Sequence, residues 1–91
     1  LTRDGDRLKL EGRITVDTVR ALLEQGNAHI ATARVVDMGA VSDVDSSAVS
    51  LILEWQRQAA QANNHDLRFE NLPANIRSLA DLYGVADLIR Q

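Results

Sequence analysis

Residues 35–55 read VVDMGAVSDVDSSAVSLILEW. The run from Ala33 to Met38 is short and β-rich and is followed by Gly39, a length that favours a strand buried in the middle of a sheet. An acidic loop from Gly39 to Asp45 follows, carrying Asp43 and Asp45. A helix is then expected from Ser46 to about Ala62. At about 100° per residue, Ala48, Ile52, Trp55, Ala59 and Ala62 fall on one narrow stripe, which faces the core. Strand, loop and helix in direct succession are the unit from which α/β sheets are built.

Working outward, Asp4-Gly5-Asp6 is a turn signal leading into Arg7-Leu8-Lys9-Leu10-Glu11, which alternates as a half-buried strand does. The N-terminus therefore opens with a hairpin. A short amphipathic helix follows from about Asp17 to Gln25, with Val19, Leu22 and Leu23 on one face, Thr15 or Asp17 as N-cap and Gly26 as its stop. Beyond the central helix, Asn63-Asn64-His65-Asp66 is a polar turn and Leu67 to Glu70 a short strand. Pro73 opens a last helix whose buried face is Ile76, Leu79, Ala80 and Tyr83, and Gly84 closes it. The order β-β-α-β-α-β-α predicts one α/β domain over residues 1–91, a small mixed β-sheet with helices packed on one side or both.

The junction at Asp45-Ser46-Ser47 admits two readings. A Ser or Asp side chain at a helix N-cap accepts one of the free backbone N–H groups of the first turn, which is a purely structural role. A phosphate on Ser46 would meet the same N–H groups and the favourable end of the helix dipole. Its charge beside Asp45, Asp43 and Asp37 would alter the surface a partner meets. On the outward side of the helix, Ser46 and Ser50 lie near Leu53, with Val49 and Ala60 beside it, so the apolar arc is wider than one sheet contact needs. Either the C-terminal helix covers it, or it is a partner-binding patch that includes Ser46, Ser50, Leu53 and Arg57.

Composition excludes several function classes. With 91 residues the chain has one core, and with single Trp, Tyr and Phe residues that core is aliphatic. There is no cysteine for a disulfide, a thiolate metal site or a nucleophile, which suits a reducing compartment. A net charge of -3 with scattered Arg and Lys argues against nucleic-acid binding. The longest apolar run, Leu51 to Leu53, is far short of the roughly 20 residues that cross a bilayer. The chain starts at Leu1 without a Met or a signal-peptide pattern, so a trimmed start is expected. His29 and His65 stand apart from each other without metal-ligand spacing, and no glycine-flanked nucleophile elbow surrounds Ser46. Asp37, Asp43 and Asp45 read as turn and cap residues rather than a Mg²⁺ site. No catalytic residue, metal or cofactor is expected, and with no glycine-rich phosphate loop any nucleotide hydrolysis belongs to a partner.

The run Val35-Val36-Asp37-Met38-Gly39-Ala40-Val41-Ser42-Asp43-Val44-Asp45-Ser46-Ser47-Ala48 resembles the signature of STAS domains, in which a buried strand ends in Asp and a loop leads to Asp-Ser-Ser-Gly at a helix start. Ala48 stands where Gly is usual. One branch of that family, the anti-sigma-factor antagonists, is phosphorylated by a partner kinase on the serine that matches Ser46. A second branch, the MlaB-like subunits of bacterial phospholipid-trafficking ABC transporters, carries Thr or Ser there and binds the ATPase subunit on the cytoplasmic side. The run Ile76 to Val85 is similar to the ending of MlaB-like proteins. The resemblance implies a non-enzymatic, cytoplasmic STAS-like domain that meets the membrane only through its partner. That partner would be the ATPase of a lipid-transport ABC complex or, alternatively, an anti-sigma factor kinase. The contact would be Ser46, with Asp45, Ser47, Val49, Ser50, Leu53 and Arg57 around it and Asp37 and Asp43 supporting the loop.

Overall fold

The computed structural model describes residues 1–91. A hairpin comes first: β1 (Thr2–Asp4) and β2 (Arg7–Ile14) pair antiparallel around Gly5, whose positive φ of 62° suits a glycine. Then follow α1 (Val19–Ile30), β3 (Val35–Val44), α2 (Ser46–Gln61), β4 (Arg68–Glu70), α3 (Ala74–Leu82) and a 3₁₀ turn (Ala86–Leu88). The sheet runs β1-β2-β3-β4, with β3 parallel to both β2 and β4. It is the mixed sheet expected from the sequence, and strands and helices follow one another along the chain in the expected order.

Both crossovers step one strand in the same direction, and right-handed connections then lay α1 and α2 on the same face. Burial agrees with this. Leu8, Val36 and Phe69 lie side by side across β2, β3 and β4 and are buried with Leu10, Ile14 and Met38. The alternate residues Arg7, Lys9, Glu11 and Arg13 of β2, Asp37 of β3, and Arg68 and Glu70 of β4 occupy the opposite face, which is charged and uncovered. The helices therefore pack on one side only. Helix α2 is the centre of that layer, touching α1 on one flank and α3 on the other. It buries Ala48, Val49, Leu51, Ile52, Trp55 and Ala59, whereas Ala62, past the helix end, is exposed.

Three expectations are corrected. The segment Gly39–Val44 is not a loop: β3 continues through it and pairs with the end of β2. Lys9 faces Asp37 but Glu11 faces Ala40, and Gly12 faces Val41 but Ile14 faces Val44, so β3 carries an extra residue in each interval. These bulges keep Met38, Val41 and Val44 on the helix side although each lies three positions after the one before. Gly26 does not end α1, which runs on to Ile30; it is buried against the indole of Trp55. Tyr83 is not part of the buried face of α3. That face is Ile76 and Ala80, with Leu79 partly covered, while Leu82 and Tyr83 project outward as the chain turns at Gly84.

Candidate functional site

Strand β3 delivers the chain to the start of α2 through Asp45, whose N–H still pairs with the Ile14 carbonyl at 3.2 Å. Asp45 has extended backbone (φ -126°, ψ -168°) and is the N-cap: one carboxylate oxygen accepts the Ser47 N–H at 2.8 Å. The other accepts the Val16 N–H at 2.9 Å, tying the β2–α1 turn to the helix start. The serines are thus not the cap. Ser46 is the first helical residue, exposed, with its hydroxyl outside the capping hydrogen bonds, and Ser47 is half-buried behind it.

Along α2, Ser46, Ser50, Leu53 and Arg57 follow at helical spacing and form one outward stripe. Ser50 and Arg57 are exposed, and Leu53 is half-buried with one side on the core. Arg57 donates to Glu54, with Nε at 2.9 Å from a carboxylate oxygen, so its guanidinium is anchored on its own helix. Val49 leaves the candidate surface. It is buried in the core cluster, on the flank of the stripe that faces the sheet.

The supporting aspartates separate. Asp43 is exposed near the end of β3, 3.9 Å from the Arg13 guanidinium. Asp37 belongs to another cluster, before the first bulge. Its Oδ1 accepts the Gly39 N–H at 2.9 Å and the Asn71 amide at 3.0 Å, and its Oδ2 faces Arg7 at 3.3 Å. Arg7 also donates to Glu70 at 2.9 Å. Asp37 therefore braces the open face of the sheet across β2, β3 and the turn after β4, rather than the Ser46 junction. Val16 and Arg13, which flank the helix start from the β2 side, are not among the residues expected there.

Four carboxylates sit below their usual range. The Asn71 amide, then the Gly39 N–H, lowers Asp37; the Val16 and then the Ser47 N–H groups lower Asp45; hydrogen bonds from Arg57 and Arg7 lower Glu54 and Glu70. A depressed folded pKa contributes stability that is present above the unfolded value, about 4 for a carboxylate, and is lost as pH falls through the folded value. Urea unfolding should therefore have a similar midpoint at pH 7 and pH 6 and a clearly lower one at pH 3. A midpoint unchanged at pH 3 would mean that these hydrogen bonds are not kept in solution.

No helix is long and apolar enough to cross a membrane. A family model described as "Mlab, STAS domain" matches residues 1–90. Among curated proteins, none matches the chain in sequence. Among solved structures, the chain is similar to the anti-sigma factor antagonist SpoIIAA in its unphosphorylated form. The TM-score is 0.64 at 18% identity, covering 91% of this chain and 75% of that one. At this identity the likeness is one of fold, and it agrees with the small four-stranded mixed sheet and its helices. Because the family match spans nearly the whole chain, the protein belongs to the MlaB-type STAS domain family.

Proposed function

We propose that this domain is a non-catalytic interaction subunit that binds and stabilises or regulates the ATPase of a phospholipid-transport ABC complex. The contact is the start of α2 and the end of β3, with Ser46 at its centre and Ser50, Leu53 and Arg57 on its flank. In this reading the domain stays on the cytoplasmic side and reaches the inner membrane only through the ATPase. One observation carries it: Asp45 takes over the capping role, so Ser46 is exposed at the helix start without a structural task. The MlaB-type family match supports an ABC ATPase as the partner. The test is affinity capture of the tagged domain from its own cells, with an ABC ATPase expected among the bound proteins and depleted by Ser46→Glu. Equal recovery by both forms would remove Ser46 from the contact.

A second reading is favoured by the same exposed hydroxyl at the N-terminus of a 16-residue helix, where a phosphate is electrostatically accommodated. Here the domain is an anti-sigma-factor antagonist and Ser46 is the substrate of an anti-sigma factor kinase. Incubation with that kinase and ATP should add one phosphate to the wild type and none to Ser46→Ala. No incorporation into either would end this reading.

A further inference from the structure

Four large apolar side chains stand exposed: Val16 at 71%, Leu82 at 75%, Tyr83 at 52% and Leu88 at 58%. Leu82, Tyr83 and Leu88 lie in the C-terminal segment, and nothing there indicates what would cover them. Val16 is different because it is tied directly to the Ser46 segment. Its N–H is held by Asp45 Oδ2 at 2.9 Å, while Oδ1 of the same carboxylate holds the Ser47 N–H at 2.8 Å. The turn that carries Val16 is fixed independently: Thr18 Oγ1 accepts the Thr15 N–H at 3.0 Å and donates to the Arg13 carbonyl at 2.9 Å. A β-branched apolar residue is thus carried, exposed, on a braced turn whose backbone is tied to Asp45, the residue immediately before the exposed Ser46.

We propose that Val16 is a second anchor of the partner surface and that Asp45 is the clasp that positions it next to Ser46. The proposal rests on the reading of the Ser46 surface as a protein contact. The surroundings define the partner's chemistry. Asp17 follows Val16 on the turn, and Asp43 lies near the end of β3; both are exposed. One cation stands among them: Arg13 faces Asp43 at 3.9 Å and also attracts the Asp45 carboxylate, which leaves the carboxylates in excess. An apolar tip flanked by carboxylates fits an apolar pocket rimmed by Lys or Arg on the ATPase subunit. Burying a valine there corresponds to a change of about tenfold to a hundredfold in affinity.

The test measures binding of the purified ATPase subunit by titration calorimetry for the wild type, Ser46→Glu, Val16→Ser and Asp45→Asn. Val16→Ser should lose at least about tenfold in affinity, and wild-type binding should weaken as salt rises. Asparagine caps helices as well as aspartate does, so Asp45→Asn keeps the acceptor for Ser47 and puts an amide donor opposite the Val16 N–H. Hydrogen exchange followed by NMR should then be about tenfold faster at the Val16 amide and little changed at Ser47. Binding of Val16→Ser within twofold of wild type, while Ser46→Glu still weakens it, would overturn the anchor and leave the Ser46 reading standing. Unchanged exchange at Val16 in Asp45→Asn would overturn the clasp, and salt-insensitive binding the basic rim. No binding by the wild type would overturn both the anchor and the reading beneath it.

Discussion

Gly26→Ala should destabilise the domain by about 3 kcal/mol, the upper end of the usual overpacking cost, and lower its thermal midpoint by about 15 °C. Helix propensity alone predicts the opposite sign, because alanine in a helix interior is better than glycine by about 1 kcal/mol. The contact with Trp55 decides. A Cβ built on Gly26 would lie 2.3 Å from Cζ2 and 2.8 Å from Cε2 of the indole, closer than any two carbons can pack without bonding. Trp55 is fully buried at the contact between α1 and α2, so it cannot swing into solvent, and the helices must separate to admit the methyl group. The indole Nε1 has no hydrogen-bond partner, so Trp55→Phe surrenders no hydrogen bond and frees space at the contact. Combining the two should therefore recover part of the loss, with a coupling of about 1–2 kcal/mol. Urea denaturation of the four forms checks this. A Gly26→Ala protein as stable as wild type would show that α1 and α2 are not packed this closely.

That contact also shows where sequence reasoning stops. A glycine after an amphipathic run reads as a C-cap because close helix approach and helix termination ask for the same residue, and only the partner, Trp55, distinguishes them. Helix α2 was legible because its apolar stripe and Asp45-Ser46 start are local, and so were the first hairpin, from Asp4-Gly5-Asp6, and the closing signal at Gly84. The second half of β3 was not legible. Its apolar residues Val36, Met38, Val41 and Val44 are spaced by two, three and three, which breaks the period of a strand unless bulges absorb the extra residues. Among candidate site residues, the stripe Ser46, Ser50, Leu53 and Arg57 followed from helical spacing. Burial of Val49 followed from the width of the α1–α2–α3 layer, which no single helix encodes. The Asp45–Val16 hydrogen bond joins residues 29 positions apart, so nothing near either of them announces it.

Ser46→Glu should reduce ATPase binding about a hundredfold, a difference of about 2.7 kcal/mol, while leaving the thermal midpoint nearly unchanged. The two expectations rest on the same geometry. Acidic side chains are favourable in the first turn of a helix, and Ser46 is exposed there, so the fold tolerates the substitution. At the interface the same carboxylate must lose its water; Asp43 and Asp45 close by in the chain add repulsion, and the basic rim proposed around Val16 is matched to the carboxylates already present rather than to a further charge at Ser46. Ser46→Ala separates charge from hydroxyl: near-wild-type binding by Ala and loss by Glu would make Ser46 a small-residue position that an added charge closes. Loss by both would instead make the hydroxyl a hydrogen-bonding group of the contact. Undiminished binding by Glu would sink the proposed contact, because a charge buried at its centre without a partner weakens binding. If the partner proved to be an anti-sigma factor instead, the same Glu variant should mimic the phosphorylated state and again fail to bind. The variants alone therefore do not choose between the two readings; the identity of the captured protein, and phosphate uptake at Ser46, do.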